Sequence, residues 1–327
     1  MLQRVQKRFA CLIVGVLMAG CATQPAGPDA RRASGALQPA ETKVTDSARL
    51  DSIYCLNVAG SAAQHYITGS NHVPLFFKVE VSDQVKALVE KSDVLLLEAT
   101  LPPIREELID NRRLHRSIGQ LVPPLTAKVA EQIDAQFRKD PRLQREKWQR
   151  LSPIVVFQVL EGLVGFPPPQ GVSLDAQFVR AARRGKTQID GIELIREQIL
   201  VFNQVATHDW EKTFQSLMTY IGNETQRSQF LDALRLQYAA FGSANWDDFD
   251  ARVRAHGNYM SMSVPLMADG RNPRIADRIV SRLKADQRSH FIALGAAHMG
   301  GPKGVLNLLQ ARGASLQKNC EAAGLSN

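Results

Sequence analysis

The sequence predicts an α/β fold: a central mixed sheet built from two strand-GxxH-helix-strand units at the chain's ends, with a helical insertion as cap. Three observations carry this prediction. Val94-Leu95-Leu96-Leu97 is a continuous apolar run bounded by Asp93 and Glu98, as expected of a strand buried on both faces of a covered sheet. The ending of the chain repeats its beginning. Between the two, from about residue 102 to 270, apolar residues recur mainly at helical spacing.

The elements follow in order. Arg4, Lys7 and Arg8 precede an apolar run over residues 9–19, the charged-then-apolar pattern of a secretory signal. That run is too short to span a bilayer as a permanent helix. It ends in Leu17-Met18-Ala19-Gly20-Cys21, which resembles the lipobox at which bacterial signal peptidases cut and the new terminal cysteine is acylated. Met18 stands where Leu is usual, and an ordinary signal peptide that happens to contain a cysteine is the alternative. Residues 1–20 are therefore expected to leave as a lipoprotein signal peptide, with Cys21 lipidated. At roughly 0.8 kcal/mol per buried CH₂, several acyl chains anchor a protein without a membrane-spanning helix. Ala22 resembles the signal for onward sorting to an outer membrane. Residues 21–48, rich in small residues and nearly free of large apolar side chains, read as the lipidated cysteine and a flexible tether.

Residues 49–327 then suit one large domain. Residues 65–68 read as a strand. Residues 82–91 read as a helix, with Ser82 as N-cap and Val85, Leu88 and Val89 on one face. Residues 102–165 are helical in pattern until Pro167-Pro168-Pro169 ends them. A helix over 175–184 and a short strand over 186–191 come next, then helices over 193–205, 210–221, 224–241 and 246–256. The ending reads as a strand at 289–294, a helix at 304–312 closed by Gly313, and a strand at 314–317.

Composition narrows the function. The formal net charge of +8 falls to +5 once residues 1–20 and their three basic side chains are removed, and no basic stripe is interleaved with aromatics. Nucleic acid is excluded as an expected partner. After loss of Cys11 and acylation of Cys21, only Cys55 and Cys320 remain, one at each end of the domain. In an oxidising compartment they could bridge, stabilising the fold by about 4–5 kcal/mol through loop-closure entropy. Two buried, unpaired thiols are the alternative.

Each unit's first strand ends in one pattern, Gly69-Ser70-Asn71-His72 and Gly295-Ala296-Ala297-His298. Glycine lets the backbone turn or approach a ligand, and the histidine then sits at the sheet rim, where such sheets build their sites. Two imidazoles brought together in this way could hold a divalent metal, with Glu98 as third ligand or general base. A lone GxxH is nearly uninformative; its recurrence beside a strand-terminal glutamate is better evidence. His65, His290, His115, His208 and His256 lack a partner at metal spacing and are expected mostly at the surface. There is no HExxH, no GxSxG and no glycine-rich phosphate loop.

These phrases resemble those of the TraB/PrgY/GumN family, whose members include the TIKI membrane proteases. The resemblance spans residues 66–317. It rests on Tyr66-Ile67-Thr68-Gly69-Ser70-Asn71-His72, Ser92-Asp93-Val94-Leu95-Leu96-Leu97-Glu98, and Leu174-Asp175 with Gly185-Lys186. Gly191-Ile192-Glu193, Glu197-Gln198, Arg271-Asn272 and Gly295-Ala296-Ala297-His298-Met299-Gly300-Gly301 complete it, and the last is the most specific. The chain departs from the family's pattern at Ala99, where an acid is usual, and at Ile192-Glu193-Leu194. The resemblance implies a fold shared with ChaN-like and erythromycin-esterase-like proteins. For the TIKI branch it implies a metal-dependent peptidase using His72, His298 and Glu98. It also brings Asp175, Glu193, Arg271 and Asn272 near the site. Plainer uses exist for three of these: Arg271 could pair with Asp277 or another acid as a structural ion pair, and Asp175 and Glu193 could be acids opening helices.

The expectation is thus a metal-dependent hydrolase of the cell envelope, peptidase in type. His72 and His298 would bind a divalent ion (Mn, Co or Zn), Glu98 would be ligand or base, and Arg271 would orient a peptide or protein substrate. The alternative, from another class, is a non-catalytic lipoprotein that captures a peptide, metal or haem in the same cleft.

Overall fold

The computed structural model describes residues 47–72, 78–99, 125–139, 148–165, 170–202, 204, 207–255 and 268–319. The signal segment, Cys21, the tether up to residue 46, the 102–124 stretch, the proline triplet, His115, His256 and Cys320 lie outside them. None of the helices among the described residues is long and apolar enough to cross a membrane.

The first unit contains β1 (Ser47–Leu50), β2 (Tyr54–Asn57), β3 (His65–Ser70), β4 (Lys78–Val81), α1 (Asp83–Lys91) and β5 (Val94–Ala99). α1 starts as its sequence predicts: Ser82 Oγ accepts from the Val85 N–H, and Val85, Leu88 and Val89 are buried. β5 is buried along Val94–Glu98, as its unbroken apolar run requires. β1, β2 and β4 are additional strands. Each has only four residues, too few for a periodic signal, and β1 and β4 form a separate parallel pair.

The middle of the chain supplies α2 (Ala127–Lys139), α3 (Pro153–Leu163), α4 (Leu174–Gly185), β6 (Gln188–Glu193), α5 (Ile195–Phe202), α6 (Thr207–Ile221), α7 (Glu224–Ser243) and α8 (Trp246–Ala255). The last unit holds α9 (Asn272–Ala285), β7 (His290–Gly295), α10 (Val305–Ala311) and β8 (Ser315–Lys318).

Six strands form the central sheet in the order β6-β5-β7-β3-β2-β8. β6, β5, β7 and β3 are parallel, whereas β2 runs antiparallel to both β3 and β8. The sheet is therefore mixed, and the two chain ends interleave. β7, from the end of the chain, lies between β5 and β3, from its beginning. β6 joins the sheet from the helical middle because the edge of β5 offers it partners through the pair Ala99↔Glu193. This changes the place of Glu193, which ends a strand instead of opening a helix. α5 begins two residues later, where Glu197 Oε2 accepts from the Leu194 N–H at 2.9 Å.

Side chains from opposite faces of the sheet meet different helices. Tyr66 and Phe291 are register partners on one face, where Phe291 packs on Phe178 of α4 with ring centroids 5.3 Å apart. Gly69, an odd number of positions from Tyr66, points to the other face and meets Trp246 of α8. Trp246 in turn packs edge-on against Phe241 and Phe249, and all three are buried. These aromatics, with Trp210, Phe214 and Phe230, are buried in the core of the helical cap.

Candidate functional site

Four parallel strands place their carboxyl ends on one edge of the sheet, where the register partners are Ser70↔Gly295 and Ala99↔Glu193. From that edge β3 delivers Asn71 and His72, β5 delivers Glu98, β6 delivers Glu193, and β7 delivers Gly295 followed by a 3-10 turn, Ala296–His298. The two Gly-x-x-His phrases are offset by one position, since Gly69 pairs with Leu294 and not with Gly295. Their glycines also serve different purposes. A Cβ on Gly69 would lie 2.5–2.9 Å from atoms of the Trp246 ring, so that glycine admits the cap. A Cβ on Gly295 would lie 2.9 Å from Glu98 Oε2, 3.0 Å from His72 Nε2 and 3.5 Å from His298 Cδ2. Both imidazoles and the carboxylate therefore flank one point, and that point requires glycine.

Glu98 is the hub. Its Oε1 accepts from Arg271 Nη2 at 2.6 Å and Gln198 Nε2 at 3.0 Å, and lies 3.4 Å from His298 Nε2. Its Oε2 meets His72 Nε2 at 3.0 Å and accepts from the Gly295 N–H at 3.1 Å. The second nitrogen of each ring is held from behind. His72 Nδ1 lies 2.5 Å from Asp175 Oδ2, and His298 Nδ1 lies 2.5 Å from Asn272 Oδ1. Asn272 Nδ2 donates to the Lys303 carbonyl at 2.8 Å, which leaves its oxygen for the ring. Arg271 bridges two buried acids, donating to Glu98 and through Nε and Nη2 to Glu193, whose other oxygen takes Arg274 Nη2 at 2.8 Å. The side chains of His72, Glu98, Glu193, Arg271 and His298 are all at most 7 % exposed.

Burial opposes charge on His72, Glu98 and Arg271, and pairing overrides it. For His72 the Asp175 and Glu98 carboxylates outweigh desolvation and hold the imidazole well above its usual pKa. For Glu98 the His298, Arg271 and His72 groups outweigh desolvation and hold the carboxyl well below its usual range. Arg271 is likewise raised, its desolvation exceeded by Glu98 and Glu193. Charged in this way, His72 donates to two carboxylates at once.

The same arrangement defines what could hold a metal. With its Nδ1 hydrogen committed to Asp175 or Asn272, either ring would, on giving up any Nε2 proton, turn an Nε2 lone pair toward the oxygens of Glu98. Lone pairs facing one another require a shared proton or a cation, and two imidazole nitrogens with one carboxylate are suitable donors for a divalent ion. As arranged here, no three His, Cys, Asp or Glu side chains among the described residues already stand as a metal-holding group. Coordination would therefore require Glu98 to exchange some of its protein donors.

All the catalytic and metal-binding candidates, His72, Glu98, Asp175, Glu193, Arg271, Asn272 and His298, lie in this one cluster. Of the acids considered for Arg271 as a structural ion pair, it takes Glu98 and Glu193 in place of Asp277, which is held by Arg312 at 2.6 Å. Asn71 and Gln198 belong to the cluster although sequence reasoning gave them no role. Both stand inside quoted phrases, but nothing in their spacing reveals an acceptor or donor that far away in sequence. Two other histidines contradict the surface expectation. His65 and His290 are fully buried at the opposite, amino edge of the sheet, with ring centroids 5.4 Å apart. They open adjacent strands that are covered on both sides, so a strand start is not a surface position here. His65 Nε2 lies 2.9 Å from Ser61 Oγ, and His290 Nδ1 donates to the Arg288 carbonyl at 2.8 Å. Cys55 is buried and disulfide-bonded, whereas its expected partner Cys320 lies outside the described residues.

Neither the curated proteins nor the solved structures yield a match to the chain. The sequence pattern of the TraB/PrgY/gumN family matches residues 56–318, a span that includes every residue of the cluster, and the chain belongs to that family.

Proposed function

We propose that the protein is a metal-dependent hydrolase of the bacterial cell envelope, peptidase in type, in which His72, His298 and Glu98 hold a divalent ion. The carrying observation is the pair of imidazoles anchored at Nδ1, each turning Nε2 to one shared carboxylate. A bound divalent ion of this kind acidifies a water and polarises a carbonyl. The chain's own groups then have separate tasks. Asp175 and Asn272 fix the two rings. Glu98, ionised and bordered by proton donors, would serve as ligand or base, and as base it would accept a proton from the attacking water and return it to the leaving group. Arg271 holds Glu98 directly, is itself held by Glu193, and would orient a substrate oxygen.

A second reading, capture of a peptide, metal or haem without turnover, is favoured by the saturation of Glu98 with protein donors. Metal analysis of the soluble domain and its His72→Ala form, with a peptide library as substrate, separates the two. Metal in the wild type only, together with metal-dependent cleavage, supports the hydrolase. Equal metal content in both forms removes it, and saturable binding without product supports the second reading.

We further propose that Cys21 carries lipid and tethers the domain to the outer membrane, facing the periplasm, with Cys55 bridged to Cys320. The basis is the signal-like start and the pairing of Cys55. Cys21→Ser should be neither acylated nor membrane-bound, and acylation of that variant would refute the anchor.

A further inference from the structure

The first turn of α4 is completed by a residue from another element. Helices begin with N–H groups that lack intrahelical partners, here those of Leu174, Asp175 and Ala176. Ser173 Oγ accepts from Ala176 at 3.2 Å. The other two go to Asn71: its Oδ1 accepts from the Leu174 N–H at 2.6 Å, and its carbonyl oxygen accepts from the Asp175 N–H at 3.3 Å. Asn71 is buried at 2 % exposure. The next residue is His72, whose Nδ1 meets the carboxylate of that same Asp175. One strand end therefore grips the helix terminus and receives its acid in return.

We propose that Asn71 is the positioning residue for His72. By docking the first turn of α4 on the end of β3, it brings the Asp175 carboxylate to Nδ1 and thereby fixes which nitrogen faces Glu98. Asp175 lies in the first turn, where the helix dipole favours a carboxylate, so the docked helix also stabilises the charge that holds the ring. Replacing Asn71 by alanine keeps the main-chain bond and removes the side-chain acceptor, leaving a buried N–H unsatisfied where the helix must be registered most tightly. His298 provides an internal control. Its ring is oriented by Asn272 and the Lys303 carbonyl, which do not depend on α4.

The extension from ring orientation to metal affinity rests on the ligand role proposed for His72; the orientation itself does not. The test is proton NMR of the metal-free protein labelled with ¹⁵N-histidine, following the Nδ1–H signals of His72 and His298 in wild type, Asn71→Ala and Asn71→Asp. A short imidazole–carboxylate bond gives a strongly downfield, slowly exchanging proton. We expect Asn71→Ala to lose the His72 signal and keep that of His298, and Asn71→Asp, which restores an acceptor, to recover it. Manganese or cobalt affinity should fall about 10- to 100-fold in Asn71→Ala, the usual cost of removing a group that orients a ligand. Persistence of the His72 signal in Asn71→Ala, or loss of both histidine signals together, would overturn the positioning role. Loss of the His72 signal with unchanged metal affinity supports the positioning role and overturns the ligand role instead.

Discussion

At the scale of single residues, the consequence of substituting a member of the cluster depends on what it leaves behind. His72→Ala strips Asp175 of its ring partner, and His298→Ala does the same to Asn272 Oδ1. Each should lower the stability of the metal-free protein by about 1–3 kcal/mol, readable as a shift in urea midpoint. If the rings share one ion, each single variant should lose most metal and activity, and the double variant should lose little more. Independent, multiplicative losses would contradict a shared site. The two arginines at Glu193 differ more sharply. Arg271→Ala removes the buried guanidinium that bridges Glu98 and Glu193 and should cost about 3–5 kcal/mol. Arg274 is half exposed, so Arg274→Ala should cost about 0–1 kcal/mol. Equal costs would mean that the buried guanidinium is not the electrostatic keystone. The candidate acids were legible in sequence, but their pairing was not. Arg271 lies 173 positions from Glu98 and 78 from Glu193, and only chain folding selects between these acids and Asp277.

At the scale of strands and helices, the two repeated phrases predict opposite phenotypes for one substitution. Gly69→Ala drives a methyl group into the buried Trp246 ring and should destabilise the fold by about 1–3 kcal/mol, seen as a lower urea midpoint. Gly295→Ala meets the tips of Glu98 and His72, so it should cost less stability but displace the downfield His72 signal. The reverse pattern would place the ligand-side glycine on the wrong strand. At the amino edge of the same strands, burial and the neighbouring His290, against the raising effect of Asp286, lower His65 to about 4. The folded pKa lies below the unfolded value near 6.5, so between these limits the unfolded chain binds more protons. The stabilisation is complete above about pH 6.5 and is lost as pH falls toward 4, on the order of 2–3 kcal/mol. Urea midpoints at pH 7 and 4.5 should drop less in His65→Gln than in wild type; an equal drop would exonerate the buried imidazole.

At the scale of the whole molecule, β2 and β8 pair across the ends of the chain, Tyr54 with Lys318 and Asn57 with Ser315. A Cys55–Cys320 bridge would secure the same junction, since Cys320 follows β8 by two residues. Closing a loop of that length removes about 4–5 kcal/mol of unfolded-state entropy, so reduction should lower the denaturation midpoint accordingly. A thiol assay on the mature, non-reduced protein should find neither thiol, and detection of two would exclude the bridge.

Local chemistry was sufficient to determine much of this protein. Ser82 and the apolar stripe behind it specify α1, the unbroken run Val94–Leu97 specifies a doubly covered strand, and recurring Gly-x-x-His phrases mark two strand ends as related. Those signals are periodic or contiguous, and so survive in one dimension. Tertiary structure decided the rest. The insertion of β7 between β5 and β3, the capture of β6 from the helical middle, and the one-residue offset between the two phrases are matters of register. So are the gripping of α4 by Asn71 and the burial of His65 and His290. Each depends on which hydrogen-bonding edge meets which other edge, and that choice is made by the competition of the whole chain for buried partners, which no local pattern records.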